Sequence, residues 1–400
     1  MEGERIKRAL LITTVSGFVP QFEQSNVAIL QEMGYEIHYA SNFHHPHYGL
    51  DNQRLKGSGI FCHQIDFVRS PFQVAANKRA YLQLLALLKN ESFDLIHCHT
   101  PMGGVLGRLA AKYSQKREKQ RAYVCYTAHG FHFFRGAPLR NWLFYYPIER
   151  WLAHYTDCLI TVNREDYQLA KTFRLRKRKG IAGRVERVNG VGIEVGDYQK
   201  LSGVENEIKK QKIAWIRKKL GIEESMLFFL SVGELNSNKN HKIVIQALAK
   251  SRANIFYAIC GEGDSRLLLQ RMIQRYHLEN RVKLLGYRED ILELLRAADV
   301  FVFPSLREGL SLSLQEAMAS GLPVIASDIR GNRELIKEGK GGWLVKPKDK
   351  KGWIQAIEGL HKADLIQMGK YNASCIKKYD KAIVTKQMRA IYRFFRGDYS

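Results

Sequence analysis

Two glutamates, Glu308 and Glu316, stand with seven residues between them in "REGLSLSLQE", an otherwise apolar stretch between the strand-like "VFVFPS" and the helix-like "EAMASG". Burying an ionised carboxylate without a partner is costly, so the pair marks either chance exposure or a place where something polar is bound. Ser311 or Ser313 can cap the helix that Gly321 and Pro323 terminate, which puts Glu308 in the loop before that helix and Glu316 on it. The backbone amides of Gly309, Leu310 and Ser311 then point out of a helix N terminus, a ready anion site. Eight helical residues rise about 12 Å. A sugar at one carboxylate, a diphosphate on the amides and a ribose at the other would fit, because carboxylate oxygens accept readily from sugar hydroxyls.

Positioning these groups requires strands and helices in alternation, and the chain shows them. "RALLITTV", "YEIHYAS", "FDLIHCHT", "RAYVCYTAHG" and "DCLITVN" read as strands in the first half, and "LFFLSVGEL", "IFYAICGEG", "RVKLLGY", "VFVFPS" and "PVIASD" in the second. Between them lie segments with apolar residues at helical spacing, such as "YLQLLALLKN" and "RLLLQRMIQRYH". This predicts an α/β protein of two doubly wound parallel sheets. The expected organisation is a first domain over 1–195, a charged linker over 196–220, a second domain over 221–375, and a C-terminal helix over 376–400 with the option of crossing back to the first domain. In open α/β sheets ligands bind beyond the carboxyl ends of the strands. Polar and glycine residues crowd there in both halves, in "TTVSGF", "HCHTPMGG", "TAHGFH", "VGELNSNKNH", "CGEGD", "GYRED" and "PSLREG", which points to one cleft between two facing domains.

Composition narrows the partners. Apolar residues at 45% and charged residues at 26% describe a globular protein, and no stretch approaches the roughly 20 apolar residues of a spanning helix. The start, "MEGERIKRALLITTV", mimics a signal peptide, but Glu2 and Glu4 interrupt its basic region and no small-residue cleavage site follows, so it reads as a first strand. Six scattered cysteines without a C-x-x-C pair favour a reducing cytoplasm. The formal net charge of +24 calls for an anionic partner: nucleic acid, anionic lipid or a phosphorylated substrate. No recognisable nucleic-acid-binding motif is present.

The 307–316 stretch and its surroundings, "LLGYREDILELLRAADV" and "FVFPSLREGLSLSLQEAMASGLPVIASDIRGNRELI", resemble the E(x7)E region of retaining glycosyltransferases of family 4, and "FDLIHCHTPMGG", "TAHGFH" and "NGVGIE" resemble that family's N-terminal domain. The resemblance covers nearly the whole chain and is most like members that build exopolysaccharide and capsule. It implies the two-domain GT-B fold. It implies that Glu316 binds the nucleotide ribose and Glu308 the donor sugar, with the amides of Gly309, Leu310 and Ser311 and the loop residues Gly233, Asn238 and Lys239 around the diphosphate. In "SVGELNSNKNH" Lys239 stands at the family's lysine position, while Glu234 replaces the usual arginine, leaving Asn238, Asn240 or His241 as substitute donors. The resemblance further places His129 beside the donor sugar, Tyr287 where backbone groups meet the base, Gly17 in the first loop near phosphate or acceptor, and His99 on the acceptor side. It implies catalysis without a metal or other cofactor and without a protein nucleophile, the leaving phosphate taking the acceptor proton. The clusters "HHPH" and "HCH" lack zinc-site spacing.

The expected function is therefore retaining transfer of a sugar from a nucleotide diphosphate, a UDP-sugar for preference, to a lipid-linked saccharide. The expected location is cytoplasmic, peripheral on the inner face of the plasma membrane. The basic runs at 112–121 and 171–184 would rest on anionic lipid, with Phe131, Phe133 and Phe134 as an apolar contact. Two rival readings are a nucleotide-sugar 2-epimerase of the same fold, and a nucleic-acid-binding protein motivated by charge alone; the expected partners include no nucleic acid.

Overall fold

A computed structural model describes residues 5–46, 51–114, 122–178, 181–199 and 205–396. They form two compact units, Met1–Val191 with Ile383–Ser400, and Gly192–Ala382. Each unit has its own parallel sheet with helices packed on it, as the alternation of short apolar runs and helical spacing requires.

The strands of the first unit are β1 (Lys7–Ile12), β2 (Tyr35–Ser41), β3 (Ile60–Gln64), β4 (Leu95–His99), β5 (Tyr123–Ala128) and β6 (Cys158–Thr161), then a short antiparallel pair, β7 (Lys177–Arg178) and β8 (Ile181–Ala182), and β9 (Arg184–Arg187). The main sheet runs β3-β2-β1-β4-β5-β6-β9. The apolar run near the start of the chain is thus an interior strand, β1, buried over residues 9–12. β4 and β6 are buried along their whole length, and in β4 the buried positions include His97 and His99.

The second unit holds β10 (Leu227–Val232), β11 (Ile255–Cys260), β12 (Val282–Gly286), β13 (Val300–Phe303), β14 (Val324–Ser327) and β15 (Gly342–Val345), in the order β12-β11-β10-β13-β14-β15. Phe228 and Leu230 of β10 enter one apolar cluster, with Phe301, Phe303 and Leu314. Phe229 between them enters another, with Tyr257, Val302 and Trp353. Strand order reverses at β1/β4 in the first sheet and at β10/β13 in the second, so loops leaving these strands flank the crevice where such sheets bind ligands.

Of the stretch 196–220, the described residues 196–199 and 205–220 are built into the second unit. Within it, the Glu205–Leu220 helix buries Ile216 and packs Ile213 and Leu220 against the core, and Arg217 donates to the carbonyls of Met226 and Ala297 and to Asp299. Three apolar positions at helical spacing suffice, although basic neighbours mask them in the composition. The C-terminal residues divide between the two units. The Lys381–Arg396 helix belongs from Ile383 onward to the first unit, where Val384, Met388, Ile391, Tyr392 and Phe395 are buried. All six cysteines are free thiols, and among the described residues no helix is long and apolar enough to cross a membrane.

Candidate active site

In the second unit the loop after β10 begins at Gly233, φ +156°. A Cβ on Gly261 would lie 1.9 Å from the Gly233 carbonyl oxygen, so the loops after β10 and β11 touch backbone to backbone and glycine is required at 261. The β10 loop is then stitched to the loop after β13. The Asn238 side-chain amide donates to the Arg307 carbonyl (2.9 Å) while the Asn238 carbonyl accepts from Leu306 N (2.7 Å). Asn240, left-handed at φ 55°, donates to the carbonyls of Pro304 and Pro347. This stitching brings Lys239 Nζ to 2.8 Å from Glu308 Oε1, two side chains 69 residues apart in sequence. Both are mostly buried, 18% and 15% exposed, and Nζ also lies 4.7 Å from the centroid of the Phe303 ring.

The substitutes considered for the missing arginine have other tasks. Asn238 and Asn240 hold loops together, and Glu234 faces solvent. His241 is buried against the Tyr257 hydroxyl (3.1 Å), and burial pushes its pKa down to about 3. Lys239 is the cation this loop aims at Glu308.

Of the two serines able to cap the Leu312–Ala319 helix, Ser311 does so, its hydroxyl accepting from Leu314 N. Glu316 sits in the second turn, partly buried, and burial raises its pKa above the ordinary carboxylate value. A hydrogen bond from the Tyr198 hydroxyl, on the Val195–Gln199 helix, acts in the opposite direction. Tyr198 carries no motif signal and is found only in the fold. Gly309 and Leu310 are partly buried in the preceding loop, and Tyr287, just past β12, is 54% exposed.

The first unit gathers a second cluster at the carboxyl ends of β4 and β5. Glu23 ends the helical turn Val19–Glu23, His99 ends β4, and His129 follows β5. His99 Nδ1 lies 3.3 Å from Glu23 Oε1 and 3.2 Å from His129 Nε2. His97, two residues before His99 on the same face of β4, is held between Thr127 Oγ1 (2.8 Å) and the Tyr392 hydroxyl (2.9 Å). Burial pushes His97 to about 3 and His129 to about 4, and holds His99 well below the ordinary histidine value. It lifts Glu23 to about 8, against the Asn26 side-chain hydrogen bond. At neutral pH the group is therefore four uncharged side chains.

His129 alone of the three histidines reaches solvent, with 27% of its side chain exposed. His99, expected on the acceptor side, is fully buried and touches His129. Gly17 is likewise buried and does not adopt positive φ. Glu23, which no motif announced, is the residue sequence reasoning missed here. The Glu23, His99 and His129 donor atoms are spaced closely enough to hold a metal ion. The donor set fits poorly, however, because His99 Nε2 is buried without a partner, whereas a metal-bound imidazole ordinarily donates its other N–H. His38, His63 and Glu91 form a second such group; of "HHPH", His44 and His45 are exposed and His47 lies outside the described residues.

Residues 24–180 match the glycosyl transferase 4-like domain, and residues 213–380 match glycosyl transferases group 1. Over 391 residues the chain is 36% identical to EpsD of Bacillus subtilis, a glycosyltransferase by name, covering 96% of each protein. The chain belongs to the group 1 glycosyltransferases. It is also 31% identical over 292 residues to the Escherichia coli UDP-Gal:alpha-D-GlcNAc-diphosphoundecaprenol alpha-1,3-galactosyltransferase, covering 70% of this chain and 69% of that one. The structure of Anabaena HepE in complex with UDP and glucose superimposes with a TM-score of 0.74 at 19% identity, covering 97% of this chain and 100% of that one, which shows the GT-B fold.

For this glycosyltransferase the expected lipid contacts need revision. Phe131 and Phe133 are buried and stacked 4.8 Å apart in the core, so they cannot meet a bilayer. Within 171–184, Arg176 pairs with Asp157 (3.2 Å), and Arg178 packs over the Tyr123 ring. Arg174 and Lys177 are exposed. Residues 115–121 and Lys179 lie outside the described residues.

Proposed function

We propose that this glycosyltransferase moves a sugar, with retention of configuration, from a UDP-sugar to a lipid-linked saccharide in exopolysaccharide or capsule assembly, at the anionic inner face of the membrane and without a metal cofactor. The observation that carries the reading is the Lys239–Glu308 pair at the β10/β13 reversal, with Glu316 on the helix that follows. The choice of UDP and of a lipid-linked acceptor is supported by the names of the Escherichia coli relative and of the HepE complex.

Each residue then has a definite task. Lys239 offers its ammonium to the diphosphate and offsets charge that grows on the leaving group. Engaging the diphosphate frees the Glu308 carboxylate for donor-sugar hydroxyls. Glu316 accepts from the ribose, and the neutral His129 imidazole bonds a sugar hydroxyl without adding charge. The departing phosphate takes the proton of the acceptor hydroxyl.

Glu316→Ala should weaken UDP binding by about 1.5–3 kcal/mol, the range for a hydrogen bond to a charged group. Calorimetry on the folded variant decides this, and an unchanged affinity would remove the ribose assignment. Because the Glu316 pKa is raised and the ionised form binds, UDP affinity should fall as pH drops through that raised value. Tyr198→Phe deletes the hydrogen bond that lowers it, so the fall should begin at higher pH.

His129→Ala should cut kcat by about a hundredfold while leaving UDP affinity within about twofold, as expected for a group that acts on the sugar. Transfer at the wild-type rate would make His129 structural. Product analysis in the same assay separates transfer from 2-epimerisation, which would consume donor without an acceptor.

A further inference from the structure

The Leu139–Ala153 helix is apolar on both faces. Inward, Trp142, Tyr145 and Tyr146 pack on the core of the first unit, and Glu149 is anchored by the buried Arg108 at 2.8 Å. Outward, Leu139, Leu143, Phe144, Ile148 and Trp151 are 73%, 68%, 63%, 39% and 46% exposed. Their positions form one stripe along the helix, and Pro147, also exposed, falls within it. Single exposed hydrophobes are ordinary, but a row of five large ones on one helix face marks an interaction surface.

The charges around the stripe indicate what covers it. Arg140 and Arg150 are exposed, whereas the helix's one carboxylate, Glu149, faces inward. At the far end Lys112 holds its ammonium 5.0 Å from the Trp151 ring centroid and 4.2 Å from that of Tyr155. Apolar and aromatic residues flanked by cations suit an interfacial helix on anionic lipid. At 15 residues the helix is about 22 Å long, shorter than the roughly 30 Å hydrocarbon core, so it would lie along the surface and not cross. A second copy fits less well, because two-fold pairing would set Arg140 and Arg150 against their own copies with no exposed carboxylate on the helix to meet them.

We propose that this helix face is where the first unit docks on an anionic bilayer. Leu139, Leu143, Phe144, Ile148 and Trp151 enter the headgroup–acyl boundary, and Arg140, Arg150 and Lys112 bind lipid phosphates. The inference rests on the lipid-linked acceptor proposed above and names the surface that brings the enzyme to it. It replaces the buried Phe131 and Phe133 and makes docking only partly electrostatic.

The test is co-sedimentation of the full chain with vesicles of phosphatidylcholine containing about one third phosphatidylglycerol. Leu143→Asp/Phe144→Asp should lower partitioning about tenfold or more, with unchanged melting temperature and unchanged UDP affinity. Wild-type protein should keep part of its binding at 1 M salt, where the Debye length is about 3 Å, because apolar insertion is not screened. Wild-type pelleting by the double variant would overturn the proposal. So would a wild-type dimer that the double variant converts to monomer with no loss of vesicle binding, since the face would then join copies of the chain. Failure of the functional reading looks different: wild-type enzyme would transfer sugar neither to a short-chain water-soluble diphosphate acceptor nor to the vesicle-embedded one, whatever the pelleting shows.

Discussion

Lys239→Ala should lower kcat/KM for sugar transfer by about a thousandfold, or about 4 kcal/mol of transition-state stabilisation. On the proposed reading the diphosphate would lose the cation that the β10 loop presents, in a chain where Glu234 stands at the place of a second one. Glu308, 15% exposed, would lose in the free enzyme the partner 2.8 Å away that compensates its burial, a cost that falls on stability and not on turnover. Since the two side chains touch, the costs of Lys239→Ala and Glu308→Ala should not add, and the double variant should be less impaired than their product predicts. Steady-state kinetics on the single and double variants checks both statements. A Lys239→Ala enzyme within about tenfold of wild type would show that the diphosphate is held by other groups.

Glu23→Gln should stabilise the protein by on the order of 3–5 kcal/mol above pH 8, and by little near pH 4.5. Glu23 keeps its proton up to about pH 8 in the native state, against an ordinary value of 4.5 in the unfolded chain. Between those values the unfolded state releases a proton that the native state retains, so native stability falls as pH rises through the window. Glutamine fills the same space without titrating. The titratable groups facing Glu23 are His99 and His129, with His97 and Tyr392 behind them, and the Asn26 side-chain amide donates to its carboxyl. The histidines titrate low and cost stability in acid, equally in both proteins, so the difference between variant and wild type isolates Glu23. Denaturant midpoints from pH 5 to 9 measure it. A difference independent of pH would mean that Glu23 is ionised in the native state.

Much of this enzyme is set by short stretches of sequence. The alternation of apolar runs with helical spacing determines two α/β units, because each strand buried on both faces must be largely apolar and each covering helix must present one apolar side. The Glu308–Ser311–Glu316 arrangement is equally local, since strand, loop, cap and helix follow one another within a few residues. Its partner Lys239 is legible as a loop lysine, but the contact itself depends on β10 and β13 being neighbours in the sheet. Glu23 and Tyr198 have no local signature at all. Their chemistry comes from His99 and His129 in one case and Glu316 in the other, brought up by strands and helices distant in the chain.

The aromatic segment "HGFHFFRGAPLRNWLFYY" shows the same division between composition and packing. Its many aromatic and leucine residues can serve as core or as surface, and the sequence reading takes Phe131, Phe133 and Phe134 for the lipid contact without a local signal that sets them apart from Leu143 and Phe144. The fold separates them. Stacking of Phe131 on Phe133 and the Arg108–Glu149 anchor turn one set inward and leave Leu143 and Phe144 facing out. Hydrophobicity determines that a side chain will seek burial; which side chains obtain it within the chain depends on which helix face meets the sheet, and only the tertiary structure decides that.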